Sequence, residues 1–143
     1  MYSKAETQKL KQEFWVAFAE KYPRKWILYD TKIKDFAFKF HADNKKAEVI
    51  AEIGSKDDDK RLGYFEKFER LKNILEEEFI QGLQYEPAYF LESGKYVSRI
   101  WISKEGVSIN NKGNWDSIFD FFSEKMSAFE DFFEEYGDII KDT

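Results

Sequence analysis

The sequence predicts an α+β domain: an antiparallel sheet of about five strands with three helices, in the order α-β-β-β-α-β-β-α. Three observations lead there. Short runs of alternating apolar and polar residues are joined by links too short for parallel crossovers, so neighbouring strands are antiparallel. Longer runs with apolar residues at helical spacing lie before, between and after them. No linker, repeat or low-complexity stretch divides the 143 residues, so residues 1–143 read as one domain with a substantial core. Helices packed on one face of an antiparallel sheet satisfy all three.

Ser3-Lys4-Ala5-Glu6 matches a capping box, in which serine and glutamate side chains each satisfy a free amide at a helix start. Behind it Leu10, Phe14, Ala17, Phe18 and Tyr22 form an apolar stripe, which Pro23 ends. Residues 25–30 (KWILYD), 35–40 (DFAFKF) and 47–53 (AEVIAEI) are rich in aromatic and β-branched residues and are predicted strands. A polar break then offers Ser55 or Asp57 as N-cap of a second helix, with Leu62, Phe65, Phe68, Leu71, Leu75 and Phe79 inward. Gly82 ends it. Residues 83–91 and 96–102 form a second hairpin around the turn Glu92–Lys95, and Pro87 assigns its first strand to an edge. Val107–Ile109 is a candidate last short strand. Asn114 is the expected cap of a final helix whose stripe holds Ile118, Phe122, Met126, Phe129, Phe133 and Tyr136.

Composition narrows the function. With no Cys, disulfides, thiolate metal sites and cysteine nucleophiles are excluded, and a reducing cytoplasm is the expected setting. No stretch is apolar enough for a membrane span or a secretion signal, so no membrane partner is expected. The net charge of −5 conceals an asymmetry. Residues 1–72 carry 17 Lys+Arg against 13 Asp+Glu, and residues 73–143 carry 6 against 15. The basic half allows a patch around Arg24, Lys25, Lys32 and Lys34; the opposite charges of the halves allow head-to-tail self-association. The acidic total disfavours nucleic acid as a partner. The only His is His41, beside a turn, so two-His metal motifs are absent, as are a nucleophile elbow and phosphate-binding glycine loops.

The first hairpin raises one sharper possibility. Phe36, Phe38 and Phe40 must share a face with Ala47, Val49, Ala51 and Ile53, which either a two-residue turn at Asp43-Asn44 or a four-residue loop at Asp43–Lys46 achieves. Asp35 and Glu52 lie directly opposite in the first register and only diagonal in the second. Such a pair of acids resembles the start of a metal-dependent nuclease site. That chemistry also wants a Lys two residues after the second acid, to hold the attacking water or the developing charge, and Gly54 stands there. The hairpin therefore reads as structural, with no catalytic residue and no cofactor, and Asp35 and Glu52 form a metal site only under the alternative.

The segments EFWVAF, RKWILYDTKIKDFAFKF-ADNKKA, GKYVSRIW and EGVSINNKGNW jointly resemble a bacterial family known as domain of unknown function 4268, over nearly the whole chain. The resemblance implies an intracellular bacterial or archaeal protein and keeps a DNA-related role open, and it carries over no catalytic residue. Its aromatics, Phe14, Trp26, Phe36, Phe38, Trp101 and Trp115, fall where core residues belong. Arg99 is the exception: mid-strand and two residues before Trp101, it either salt-bridges an acid or marks a binding face.

The expected function is thus a non-catalytic interaction or accessory domain, leaning away from an enzyme, with a protein partner or a second copy as its ligand. Its candidate binding residues are Arg24, Lys25, Lys32, Arg99 and Trp101. The alternative is a divergent metal-dependent nuclease or nucleic-acid-processing accessory factor.

Overall fold

The computed structural model describes residues 3–28 and 30–141. In chain order, α1 spans Lys4–Lys21, β1 Phe36–Ala42, β2 Lys46–Ile53, α2 Asp58–Arg70, α3 Lys72–Ile74, β3 Gln84–Phe90, β4 Tyr96–Glu105 and α4 Trp115–Lys141. The four strands form one antiparallel sheet in the order β1-β2-β4-β3, so two local hairpins are joined through their second strands. The class is the predicted α+β; the sheet has four strands rather than five, and there are four helices rather than three.

The missing strand is the first one. Among residues 25–28 and 30, none is in a strand; Tyr29 lies outside the described residues. Among the described residues the segment touches the β1 edge through one backbone bond, Phe38 N–H to Leu28 C=O at 2.9 Å. Its other anchors are side chains from elsewhere. Glu130 of α4 accepts from the Ile27 amide at 3.1 Å and from the Arg24 guanidinium at 2.7 and 2.8 Å. Val107–Ile109 is likewise no strand, although Val107 and Ile109 are buried and the Ile109 amide bonds to Asp43 C=O.

The capping box at Ser3 and Glu6 is formed, with Leu10, Phe14 and Phe18 as the buried stripe of α1. Asp57 rather than Ser55 caps α2, accepting from the amides of Asp59 and Lys60. The predicted single second helix is interrupted at Leu71 and ends in a π turn over Leu75–Phe79, closed by Ile80 N–H to Leu75 C=O at 2.8 Å. Arg61, not Leu62, faces inward there; its Nε donates to Ser98 Oγ, and Ser98 Oγ donates to Pro87 C=O. Asn114 does not cap α4. Its side chain accepts from the Ser108 amide, and the helix is entered through a 3-10 turn, Lys112–Asn114, capped by Asn111.

The core lies between one sheet face and the helices. Phe36 stacks on Phe68 and Phe133, Phe38 packs on Phe129 and Phe133, and Phe40 packs on Phe18 and Phe122, with ring centroids 4.7–5.8 Å apart. Phe38, at 0 % exposure, sits at its centre.

Candidate functional site: a cation-rimmed cleft beside the β1 edge

The register of the first hairpin decides where its charges go. Phe36 pairs with Ile53, Phe38 with Ala51, Phe40 with Val49 and Ala42 with Ala47: the four-residue loop. Asp43 sets it, with Oδ1 accepting from the amides of Lys45 and Lys46 while its own amide donates to Lys46 C=O. Burial works against ionising Asp43, but the bonds from His41, Lys45 and Lys46 outweigh it and hold the carboxyl below the usual range.

Odd-numbered residues of β1 therefore direct their backbone towards β2, as Asp35 C=O to Gly54 N–H (2.6 Å) and Asp43 N–H to Lys46 C=O (3.0 Å) show at its two ends. Even-numbered residues direct theirs to the outer edge. Phe36 is satisfied there, its amide bonding Ile33 C=O and its carbonyl accepting from Thr31 Oγ1. Phe38 N–H uses Leu28 C=O. Beyond that point the N–H and C=O of Phe40 have no hydrogen-bond partner among the described residues.

That open stretch borders a cleft of about 750 Å3. Trp15, Tyr22 and Trp26 are among its walls, and Phe38 and Phe40 line its β1 side. Arg24, Lys25 and Lys39 also line it, and no carboxylate does. Trp26 is held between two partners, stacked on Phe18 at 5.9 Å and covered by the Arg24 guanidinium 4.0 Å from its ring centroid. The cations differ in freedom: Arg24 is committed to Glu130 and Lys39 to Glu52, whereas Lys25 forms no ion pair among the described residues.

Arg24 and Lys25 thus fall at one site. Lys32 does not join them; it is exposed and pairs with Asp30 at 2.9 Å. Arg99 and Trp101 lie elsewhere, on the sheet face turned away from the helices. There Arg99 Nη2 meets Glu48 Oε1 at 2.9 Å with both side chains under 10 % exposed, and Ser103 Oγ donates to Glu48 Oε2. The guanidinium carbon sits 4.2 Å from the Tyr89 ring centroid and 5.0 Å from that of Trp101. Arg99 Nε is buried without a hydrogen-bond partner among the described residues. Of the two readings open for Arg99, the buried ion pair is the one formed.

Asp35 and Glu52 share a third place, a shallow depression of about 400 Å3 that Lys34, Lys39 and Lys95 also line. Glu52 is engaged by Lys39 at 2.5 Å; Asp35, at φ 64°, forms no ion pair among the described residues. Among the described residues no group of three or more His, Cys, Asp and Glu side chains could hold a metal ion. Lys34, Asp35, Gly54 and Lys95 also line an adjoining hollow with Lys56 and Lys60, and none of these four lysines forms an ion pair among the described residues.

Sequence reasoning missed Trp15, Tyr22 and Lys39 as cleft residues. Two of them, Trp15 and Lys39, left a signal: each is a large or charged residue just off an apolar stripe, where it borders the core without entering it.

The profile of a family described as "Domain of unknown function (DUF4268)" matches residues 10–137, nearly the whole chain. The chain belongs to this family. The match takes in both walls of the DUF4268 domain's cleft, from α1 to β1, and the depression at Asp35. No curated protein and no solved structure matches the chain significantly. Among the described residues of this DUF4268 protein, no helix is long and apolar enough to cross a membrane.

Proposed function

We propose that the protein is a non-catalytic interaction domain whose binding surface is the cleft between α1 and the β1 edge. One observation carries this reading: aromatic walls, three cations and unpaired strand backbone meet in one concavity large enough for several side chains. A concave, mostly apolar surface with a few convergent polar groups is the usual form of a recognition site. An NMR screen of small aromatic carboxylates tests it. Amide shifts clustered on Trp15, Trp26 and Phe40 are expected; hits scattered over the surface, or none, would remove the cleft from consideration.

A second reading, a nucleic-acid-processing accessory factor, is favoured by the depression that gathers Asp35 and Glu52 with Lys34, Lys39 and Lys95, and by the adjoining Lys56 and Lys60. Its support is the concentration of four lysines, Lys34, Lys56, Lys60 and Lys95, without carboxylate partners among the described residues of an otherwise acidic protein. Binding to single-stranded DNA that weakens with salt, and is lost in a Lys34→Glu, Lys95→Glu double variant, is what that reading requires.

A further inference from the structure

We infer that the partner of the cleft is an acidic peptide in extended conformation, which adds to the sheet as a fifth strand along the outer edge of β1. The inference rests on the cleft being the binding surface and names what it binds. Its basis is the change in the β1 edge along its length. The edge is occupied at the N–H and C=O of Phe36, by Ile33 and Thr31, and at the N–H of Phe38, by Leu28; at Phe40 neither group has a partner among the described residues, and there the edge borders the cleft. An unpaired N–H and C=O on one residue of an edge strand is the docking template used in strand addition. A nucleic-acid phosphate can accept from the N–H but cannot donate to the C=O of the same residue, whereas a peptide strand does both, so the edge favours a peptide.

Geometry also sets the pattern of the peptide. Side chains of an added strand alternate between the two sheet faces. Those on the side of Phe40 enter the aromatic cleft beside Trp15 and Trp26, and apolar or aromatic residues fit there. Those on the other side pass Lys39. Among the described residues the cleft lining has three cations and no carboxylate, and Lys25 is the cation without an ion pair, so acidic residues are complementary. The fitted ligand alternates apolar and acidic residues.

The test is selection on the whole protein from a phage library of random dodecapeptides, followed by synthesis of an enriched sequence. Enriched peptides are expected to alternate acidic and apolar residues and to change tryptophan fluorescence, a change reduced in Trp26→Phe. Lys25→Glu, at an exposed position, should weaken binding at least about tenfold, while Lys25→Arg should retain it. N-methylation of successive peptide amides should weaken binding by about tenfold or more at the one amide that donates to Phe40 C=O and little at the others. A peptide that binds at the cleft with no such sensitive amide overturns strand addition and leaves the cleft as a binding surface. Enrichment of peptides indifferent to Lys25→Glu and Trp26→Phe, or no enrichment at all, overturns both. Oligo-dT that alters the fluorescence where no peptide does overturns the peptide.

Discussion

The two faces of the sheet hold together by different means. The helix-covered face is nearly all ring and aliphatic surface, with Phe36, Phe38 and Phe40 interleaved among phenylalanines of α2 and α4. The opposite face makes its ion pairs and ring contacts within the sheet: Lys39 with Glu52, Arg99 with Glu48, Tyr89 with Trp101. Ile50 and Val97 are buried on that face yet lie outside the main core. Water is excluded from the covered face and from Glu48, Arg99, Ile50 and Val97 on the other, but only the covered face gains from it without charge desolvation. Burying an ion pair costs much of what the attraction returns, and the unpartnered Arg99 Nε adds to that cost. The covered face therefore carries the stability, and the open face is a polar arrangement that tolerates burial.

The largest effect expected from that contrast is at Phe38. Phe38→Ala should lower unfolding free energy by about 3–5 kcal/mol in a denaturant titration, since the surrounding rings cannot close the cavity. A loss below about 1 kcal/mol would mean the covered face is not the stabilising one.

The open face gives the next test. Glu48→Ala or Arg99→Ala alone should cost about 3 kcal/mol, because each strands a buried charge. The double variant Glu48→Leu, Arg99→Met should lie within about 1 kcal/mol of the native protein, as apolar replacement of buried pairs often does. A double variant as unstable as the single ones would show the pair to be a net source of stability.

At the loop between the strands the effect is smaller and depends on pH. Asp43 has a lowered folded pKa, so its contribution is complete above the ordinary carboxylate range and disappears as pH falls through the lowered value. Its side chain is 37 % exposed, so Asp43→Asn should cost only about 0.5–1 kcal/mol near neutrality. Urea titrations of both proteins across acidic pH should converge; a gap that widens on acidification would reverse the sign.

The smallest effect is expected at Asp35. Asn accepts φ 64° as readily as Asp, and Asp35 forms no ion pair among the described residues, so Asp35→Asn should change stability by less than about 0.5 kcal/mol. Mn2+ should leave the melting temperature of both proteins unchanged. A Mn2+-dependent rise in the native protein alone would make the depression a metal site by mass action.

Much of the covered face was legible in the sequence, because alternation in DFAFKF and the stripes of α1 and α4 report burial directly. Pro87 correctly announced an edge strand, which also carries a bulge between Glu86 and Tyr89. Other features were decided by distant partners. Residues 25–30 have strand composition, yet the Ile27 amide is claimed by Glu130, 103 positions further on. Two hairpin registers kept the same faces, and a side-chain oxygen of Asp43 chose between them. Arg24 and Lys25 could be named as a basic patch, but the cleft they rim exists only once α1 lies against β1.

The strand order has a consequence for how the chain reaches this state. Each hairpin closes a short loop, residues 43–45 in one and 91–95 in the other, and can form early at small entropic cost. The central β2–β4 pairing instead closes residues 54–95, with α2, α3 and β3 inside the loop. That closure is the high-contact-order step and is expected to set the folding rate. Ile50, opposite Trp101 on that seam, is expected in the nucleus on this ground, and Tyr85 at the far strand is not. Truncating Ile50 should slow refolding, whereas truncating Tyr85 should chiefly speed unfolding; chevron plots of the two variants separate these outcomes.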